Sequence, residues 1–279
     1  MAHLRDRRAF GNIGTRKFRG ARFGDPLSPR FTKLLDQYPG AEAAFSLKAL
    51  SAAWASKPVI LANRVIDNAD LAVTESEITD GTLVSFSQGG DVTVKAIYDQ
   101  SESISGTGRS AFPDDSTKRR LIVDAGVLVT EGGEPAMAGS IYHYNIGGGG
   151  VTLTGDFSIL VLANLNTSNG LFGATSGTWP RVRFFTEQIE VVNDAGGEIN
   201  FTNTDETPTL HRYNGSRALT GMYRNANLID VTIAGQTVAT GPLALGGVFS
   251  FEQIFSYGAD AQPVTGKFQE MVIWPSDIR

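Results

Sequence analysis

Apolar and polar residues alternate with a period of two along most of the chain beyond Lys57. Short runs rich in Val, Ile and Phe are bounded by clusters of Gly, Asn and Asp, which is typical of β-strands joined by turns. These runs occupy residues 59–65, 83–86, 92–98, 121–123, 127–129, 157–162, 182–185, 187–192, 199–201, 210–213, 228–233, 249–255 and 267–274. The glycine run at 147–150 reads as a turn between strands. Strands this short and this closely spaced predict an all-β sandwich or jelly roll.

One short helix is predicted ahead of these strands, within residues 31–56. Ala44, Leu47, Leu50 and Trp54 recur at spacings of three and four, and Pro58 prevents any continuation. No fixed repeat or clear linker follows residue 40. We therefore expect this helix to begin a single domain that covers residues 34–279.

The charge distribution divides the chain into two parts. Residues 1–33 hold nine Lys/Arg and two Asp, a net charge of +7, so the total of -5 leaves -12 for the remainder. The first 33 residues sustain neither a helical nor a strand period and cannot bury a face of their own. The sequence thus predicts an extended, basic N-terminal arm, 1–33, attached to an acidic domain.

Two interpretations of the arm compete. It could neutralise phosphates of a nucleic acid while its aromatic residues stack on bases. Alternatively, its phenylalanines fill pockets of neighbouring subunits and its arginines pair with acidic surfaces, an interpretation that we favour. A tail without any partner is the third alternative. The predicted assembly-anchor residues are Phe10, Arg16, Phe18, Arg19, Arg22 and Phe23.

Composition excludes several kinds of chemistry. The chain has no cysteine, so a disulfide framework, a Cys-ligated zinc site and a thiol nucleophile are ruled out, which fits folding in a reducing cytoplasm. The charged start lacks the continuous apolar stretch of a signal peptide, and no window approaches the roughly 18 apolar residues of a membrane span. We expect neither secretion by that route nor membrane insertion.

Several short motifs carry a resemblance to a known family. They are AFSLKALSAAW (44–54), PVILANRV (58–65), ITDGTLVSF (78–86), VTVKAIYDQS (92–101) and GKFQEMVIWPSD (266–277). In this order they resemble the arabinofuranosidase-B catalytic-domain-like module, which also occurs in bacteriophage virion proteins. The resemblance implies a concanavalin/laminin-G-like jelly-roll β-sandwich. The chain departs from the family by reading YDQSESISG where a glycine-tight loop is usual, and by lacking the cysteines of the secreted enzymes. Both departures favour the virion branch.

On this basis we expect a bacteriophage virion structural protein, such as a fibre, a decoration protein or a neck or tail appendage. It would be made in the host cytoplasm and held to other virion proteins by its arm. The domain would be lectin-like and would contact a host-surface glycan, as a homo-oligomer for which the appendage class suggests a trimer. No reaction and no cofactor are expected. The alternatives are an arabinofuranosidase-like glycoside hydrolase and nucleic-acid binding through the arm.

If the chain is an enzyme, two carboxyl groups are the candidates for catalysis. A retaining glycosidase needs a nucleophile and an acid/base about 5 Å apart. The family's order of residues implies Glu187 as nucleophile and, after a shift of one residue, Asp260 as acid/base. Either residue could equally be an ordinary polar residue, on the wet face of a strand for Glu187 and in a loop for Asp260.

Glycan binding would need exposed aromatic rings next to hydrogen-bonding side chains. Each candidate near a predicted loop could equally pack in the core or against another subunit. These candidates are Tyr142, Tyr144, Trp179, Tyr213 and Asn214.

Other polar residues read more readily as structural. Asp99 and Gln100 directly follow a predicted strand, where an Asp commonly accepts hydrogen bonds from the backbone of its own turn. A group of three could supply oxygens to calcium but lacks the pattern of an EF-hand loop, so a polar turn is favoured for Asp67, Asn68 and Asp70. No metal is predicted at the histidines, because none has a neighbour at ligand spacing: His3, His143 and His211.

Overall fold

The computed structural model describes residues 33–101, 109–139, 143–165, 169–174, 181–184, 188–192, 198–202, 218–226, 228–233, 236–242, 248–255 and 266–279. Residues 1–32 of the predicted arm lie outside these ranges, and all six anchor residues with them, so the arm and its anchors stay predictions. No helix in the described ranges is long and apolar enough to cross a membrane.

Helices are few and short. They are α1 (Leu34–Gln37), α2 (Glu75–Thr79) and α3 (Thr82–Ser87), with single 3₁₀ turns at Ala52–Trp54 and Ser116–Lys118. A capping box starts α2: the Thr74 hydroxyl accepts from the Glu77 amide, and the Glu77 carboxylate accepts from the Thr74 amide. This local polar contact, rather than a long amphipathic pattern, begins α2.

Strands make up most of the described chain. In order they are β1 (Ala43–Ser46), β2 (Ile60–Arg64), β3 (Asp70–Val73), β4 (Val92–Tyr98), β5 (Ser110–Phe112), β6 (Arg120–Asp124), β7 (Val127–Leu128), β8 (Thr130–Glu131), β9 (Glu134–Pro135), β10 (Met137–Gly139), β11 (Tyr144–Ile146), β12 (Val151–Leu153), β13 (Phe157–Leu165), β14 (Asn169–Gly173), β15 (Arg181–Phe184), β16 (Gln188–Val192), β17 (Glu198–Thr202), β18 (Ala218–Asn225), β19 (Leu228–Ile233), β20 (Gln236–Pro242), β21 (Phe249–Phe251), β22 (Gln253–Ile254) and β23 (Gly266–Trp274).

The main antiparallel sheet branches at β4. One branch runs β4–β6–β10–β23–β13–β18–β19–β20, and β1 also pairs with β23. The other runs β4–β5–β11–β22–β14–β15–β16–β17. Folding these two branches against each other gives the predicted β-sandwich.

The main core lies between the two branches. Ile159 and Met271 come from the first branch and Phe172 and Ile254 from the second, and all four are buried in one cluster. Phe255, directly after β22, meets Phe268 of β23 edge to face with ring centroids 4.6 Å apart. Such pairs add to the hydrophobic gain from burial and fix how the two branches face each other.

A second, smaller core forms on the outer side of β1 and β23. It contains Leu35, Ala44, Leu50 and Trp274, and the Trp274 indole donates to the Tyr38 carbonyl over 2.9 Å. The chain just after the predicted arm is therefore packed against the last strand.

One predicted element is wrong and another is displaced along the chain. The short helix expected within residues 31–56 at the start of the domain is α1 (Leu34–Gln37). The residues that suggested it, 44–54, instead form strand β1, a loop and one 3₁₀ turn, because Ala44 and Leu50 pack in the smaller core and Leu47 in the main core. The strand expected at 83–86 is helix α3, which begins where the Asp80 carboxylate accepts from the Thr82 amide over 2.8 Å. Here local turn chemistry outweighs the apolar run.

The other predicted strands that fall on described residues are confirmed. Two match the observed bounds residue for residue, Val92–Tyr98 and Leu228–Ile233. The turn predicted at 147–150 joins β11 to β12, with φ of +70°, +86° and +76° at Gly148, Gly149 and Gly150. The predicted strand at 210–213 lies outside the described residues.

Candidate functional site

Several strands end close together at one end of the sandwich, which we call the Gly266 end. Gly266 at the start of β23 pairs with Gly139, the last residue of β10, and with Leu165, the last residue of β13. Only residues 166–168 separate Leu165 from Asn169, whose Cα positions are therefore within about 15 Å. Asn169 in turn pairs with Phe184, the last residue of β15.

The second branch reaches the same end through β22 and β11. Phe172 of β14 pairs with Ile254 of β22, and the two strands are antiparallel. The end of β22 therefore lies on the side where β14 begins. Tyr144, the first residue of β11, also pairs with Ile254. Strands β10, β13, β15 and β22 thus finish at the Gly266 end, and the segments that leave them are 140–142, 166–168, 185–187 and 256–265.

The predicted carboxylate pair belongs to two of these segments. Glu187 is in 185–187 and Asp260 is in 256–265, both outside the described residues. The neighbouring described positions, Phe184 and Phe255, both lie at the Gly266 end by strand register. The distance between the two carboxyl groups stays untested.

A chain of polar side chains, which we call the His143 network, lies beside this end. The ring of His143 is buried, and its Nε2 is 2.8 Å from Oδ2 of Asp114. Asn145 donates its amide nitrogen to Asp114 Oδ1, and Gln253 donates to Asn145 Oδ1 over 3.0 Å. Tyr144 lies in the core, so the alternation of β11 places His143 and Asn145 on the opposite face of the sheet.

Gln253 leaves hydrogen-bonding capacity unused in this network. Its side chain is 1% exposed, and its Oε1 has no hydrogen-bond partner among the described residues. A buried acceptor without a donor costs free energy, and most buried polar atoms in folded proteins are paired. A hydroxyl group of a ligand or a water molecule would supply the missing donor.

A buried cation, the guanidinium of Arg120, also lies at the Gly266 end. The Arg120 guanidinium lies 4.1 Å from the ring centroid of Phe255 and donates to the Gly139 carbonyl over 3.4 Å. Burial lowers the pKa of Arg120 to about 10, so the group is still charged at neutral pH. A positive charge in this position favours an ionised carboxylate nearby.

Tyr144 is a core residue and is withdrawn from the predicted glycan contacts. It is fully buried, its hydroxyl donates to the Val94 carbonyl over 2.7 Å and accepts from the Arg120 amide over 3.0 Å, and burial raises its pKa to about 12. Its ring offers no open face to a sugar. The four remaining candidates lie outside the described residues and stay predictions: Tyr142, Trp179, Tyr213 and Asn214.

The structural interpretation of Asp99 and Gln100 is confirmed. Asp99 Oδ1 accepts from the amides of Ala44 and Ser101 over 2.8 and 2.9 Å. The buried Gln100 accepts from the Leu50 amide over 2.8 Å and donates to two carbonyls in the same loop. These side chains hold the loop after β1. Burial raises the pKa of Asp99.

The segment considered for calcium is a polar turn with internal pairs. Asp67 meets Arg64 at 2.6 Å, Asp70 meets Lys95 at 2.5 Å, and Asn63 donates to Asn68 and to Asp70. In the ranges that the structure describes, no group of three or more acidic or histidine side chains is arranged to hold a metal ion.

A small cleft on the outer face is unrelated to the Gly266 end. It holds about 40 Å³, space for a water molecule but not for a sugar ring. Ser46 and Glu270 lie in it with their side-chain oxygens 3.2 Å apart. We do not assign it a ligand.

Comparison with known proteins defines the class of fold. No protein-family model matches the chain, and no curated protein sequence does. Among solved structures, it is similar to a GH54 α-L-arabinofuranosidase variant soaked with 4-nitrophenyl α-L-arabinofuranoside, with a TM-score of 0.59 and 12% identity. It is also similar to an arabinofuranosidase complexed with arabinofuranosyl-α-1,2-xylobiose, with a TM-score of 0.54 and 12% identity.

These matches cover 85% of this chain but only 59% and 60% of the two enzymes. They show the fold, a β-sandwich shared with glycoside hydrolases, and thereby confirm the predicted fold class and the family resemblance at that level. They also correct the prediction that the chain is not an enzyme, because the fold it shares is that of hydrolases. Nothing in them bears on a virion.

Proposed function

We propose that the domain recognises a furanosyl-containing polysaccharide at the Gly266 end and acts on it as a glycoside hydrolase. The observation that supports this most directly is the meeting, at one end of a GH54-like sandwich, of the strands that flank Glu187 and Asp260. In a retaining mechanism Glu187 attacks the anomeric carbon while Asp260 protonates the departing oxygen. Asp260 then deprotonates the water that releases the sugar.

The described residues contribute the surroundings of this reaction. The positive charge of Arg120 favours the ionised form of a nearby nucleophile. Gln253 Oε1 is a buried acceptor without a partner among the described residues, and the His143 network holds that amide in one orientation. Sugar recognition depends on fixed acceptors and donors of this kind.

Hydrolysis of 4-nitrophenyl α-L-arabinofuranoside tests the proposal. We expect the wild type to release 4-nitrophenolate, and Glu187→Gln and Asp260→Asn each to lower kcat/KM by about 10²- to 10⁴-fold. Glu190→Gln, the same substitution within the neighbouring strand β16, is the matched control and should leave the rate unchanged. Equal effects at 187 and 190 would remove Glu187 from the mechanism.

A binding measurement separates recognition from catalysis. Titration calorimetry of the wild type with an arabinofuranosyl xylo-oligosaccharide should give binding that Gln253→Met weakens. Gln37→Met, at an exposed glutamine, should not affect it. Binding without hydrolysis would leave a lectin-like domain, and the absence of both would refute the proposal.

We further propose that residues 1–33 anchor this domain in a bacteriophage virion, as an oligomer. The separation of a basic segment from an acidic domain supports this, together with the firm attachment at its root. Lys33 pairs with Glu75 at 2.8 Å, and the amide of Leu35 donates to the Leu50 carbonyl over 2.8 Å. Because the residues that directly follow the arm are bonded to the domain, a partner that holds the arm also holds the domain.

Deletion of residues 1–32 tests the anchor. We expect a chain with an unchanged thermal unfolding temperature that no longer enters particles when it is co-expressed with the other virion proteins. Incorporation of the shortened chain would contradict the proposal, and binding of the full chain to nucleic acid with a steep salt dependence would replace it with the nucleic-acid alternative.

A further inference from the structure

Three turns are joined at the end of the sandwich opposite to the Gly266 end. Strand β10 runs towards the Gly266 end, so its antiparallel partner β6 runs away from it and finishes at Asp124. The turns comprise residues 64–69, 88–91 and 124–128, which we call the tip. They include the connection from β2 to β3, the approach to β4 and the connection from β6 to β7.

The turns of the tip are locked to one another. Val65 donates its amide to the Asp91 carbonyl over 3.0 Å, and the Ala125 amide donates to the Asp91 carboxylate over 2.8 Å. At Gly126 the approach is so close that a Cβ would lie 2.9 Å from Cα of Gly89. The tip is thus a preorganised surface, which lowers the entropy cost of binding a partner.

The locked tip carries an apolar patch. Val65 is 53% exposed, Ile66 77% and Val127 69%. Exposed aliphatic residues are ordinary when they are scattered, but three on one rigid set of turns form a patch typical of interaction sites. None of the three side chains packs in the core. A partner that covers them would remove this apolar surface from water.

The rim of the patch is acidic. Asp67, Asp91 and Asp124 lie in the three turns, and Arg64 is paired with Asp67, which leaves a net charge of -2. A basic partner with apolar side chains would complement both properties. Residues 1–32 of this chain have that chemistry, with eight Lys/Arg against two Asp and several phenylalanines.

We propose that the tip of one copy binds residues 1–32 of a second copy. The phenylalanines of the segment cover Ile66 and Val127, and its arginines face the acidic rim. Each copy then offers one segment and one tip, a head-to-tail arrangement that closes into a ring when the rotation between copies allows it. This goes beyond anchoring, because it names a surface that receives the segment.

Light scattering of the full chain after size-exclusion chromatography tests the surface. The wild type should associate at micromolar concentrations, and Ile66→Ser with Val127→Ser should raise the dissociation constant by about tenfold or more. Leu228→Ser, at an exposed leucine that begins β19 (49% exposed), is the matched control and should change nothing. Asp124→Lys, which leaves the patch intact, should weaken association and reduce its salt dependence.

Cross-linking of mixed light and heavy isotope-labelled copies identifies the occupant. With a photoreactive residue in place of Phe18, we expect products that join a light segment to a heavy tip peptide spanning 64–67 or 124–128. A monomeric wild type, products confined to one copy, or cross-links to other surfaces would overturn the proposal. A tip dimer that persists after deletion of residues 1–32 would do the same.

Discussion

Gln100 and Gln253 are both buried glutamines, yet their hydrogen bonds differ in kind. Gln100 bonds three backbone groups of one loop, so its amide is fully occupied in holding the chain. Gln253 bonds one other side chain, and its oxygen has no partner among the described residues. The difference teaches that burial of a polar residue does not itself indicate a role. A side chain committed to backbone serves the fold, whereas one with spare capacity is available to a ligand.

The largest effect is expected from Gln100→Met. This near-isosteric change leaves the Leu50 amide and two carbonyls without their partner, so the free energy of unfolding should fall by about 3 kcal/mol. Urea denaturation monitored by circular dichroism measures it. A loss below about 1 kcal/mol would mean that the loop finds other partners and that Gln100 is not committed to the fold.

Gln253→Met should cost about 1 kcal/mol or less in the same measurement. One hydrogen bond to Asn145 is lost, but the unpaired acceptor is removed with it. If this variant were as unstable as Gln100→Met, the contrast between the two glutamines would fail, and Gln253 would have to be reassigned to the fold.

A smaller effect concerns the pH dependence at Asp99, beside Gln100. Burial raises its folded-state pKa above the ordinary 3.8, so the folded state holds this proton more tightly than the unfolded state. The penalty for burying the ionised form is relieved as pH falls through the raised pKa towards 3.8. Relative to Asp99→Asn, the wild type should therefore gain stability between neutral pH and pH 4. A difference that is constant with pH would contradict this.

The smallest effect is expected at Asp277, which is paired with Arg279 at 2.8 Å near the surface. The hydrogen bond from Arg279 lowers the pKa of Asp277 to about 2, so its contribution is present above pH 4 and is lost as pH falls towards 2. Asp277→Asn should lower the free energy of unfolding by about 0.5 kcal/mol at pH 7. The difference should shrink between pH 4 and pH 3 in acid titrations.

The sequence pattern predicted strands well where apolar and polar residues alternate, so that the two faces of the strand differ in polarity. Val92–Tyr98 and Leu228–Ile233 alternate regularly, and their bounds were predicted correctly. Short strands with little alternation were missed, such as Asp70–Val73 and Tyr144–Ile146. They become strands because their neighbours offer unpaired backbone groups, which is a property of the assembled sheet.

The site was predictable only in part, because its residues are distant in sequence. Asp114 and Gln253 are joined through Asn145 and lie 139 positions apart, and no local motif marks any of them. His143 was considered only as a metal ligand, so its contact with Asp114, in the loop after β5, was not predicted. By contrast, the Tyr-Asp-Gln-Ser turn did indicate that Asp99 accepts from the backbone of its own turn, which it does at the Ser101 amide. The hydrogen bonds of Gln100 to the loop after β1 were not indicated by any local pattern.

The position of β23 has a consequence for how the chain acquires its structure during synthesis. This strand pairs with β1, β10 and β13, and its contact with β1 joins Ala43 to Ile273. Strands β1, β10 and β13 therefore each keep an edge without its partner β23 until most of the polypeptide has left the ribosome. Such long-range closure makes folding slow and exposes the nascent chain to misassembly, so we expect chaperone dependence when synthesis is fast.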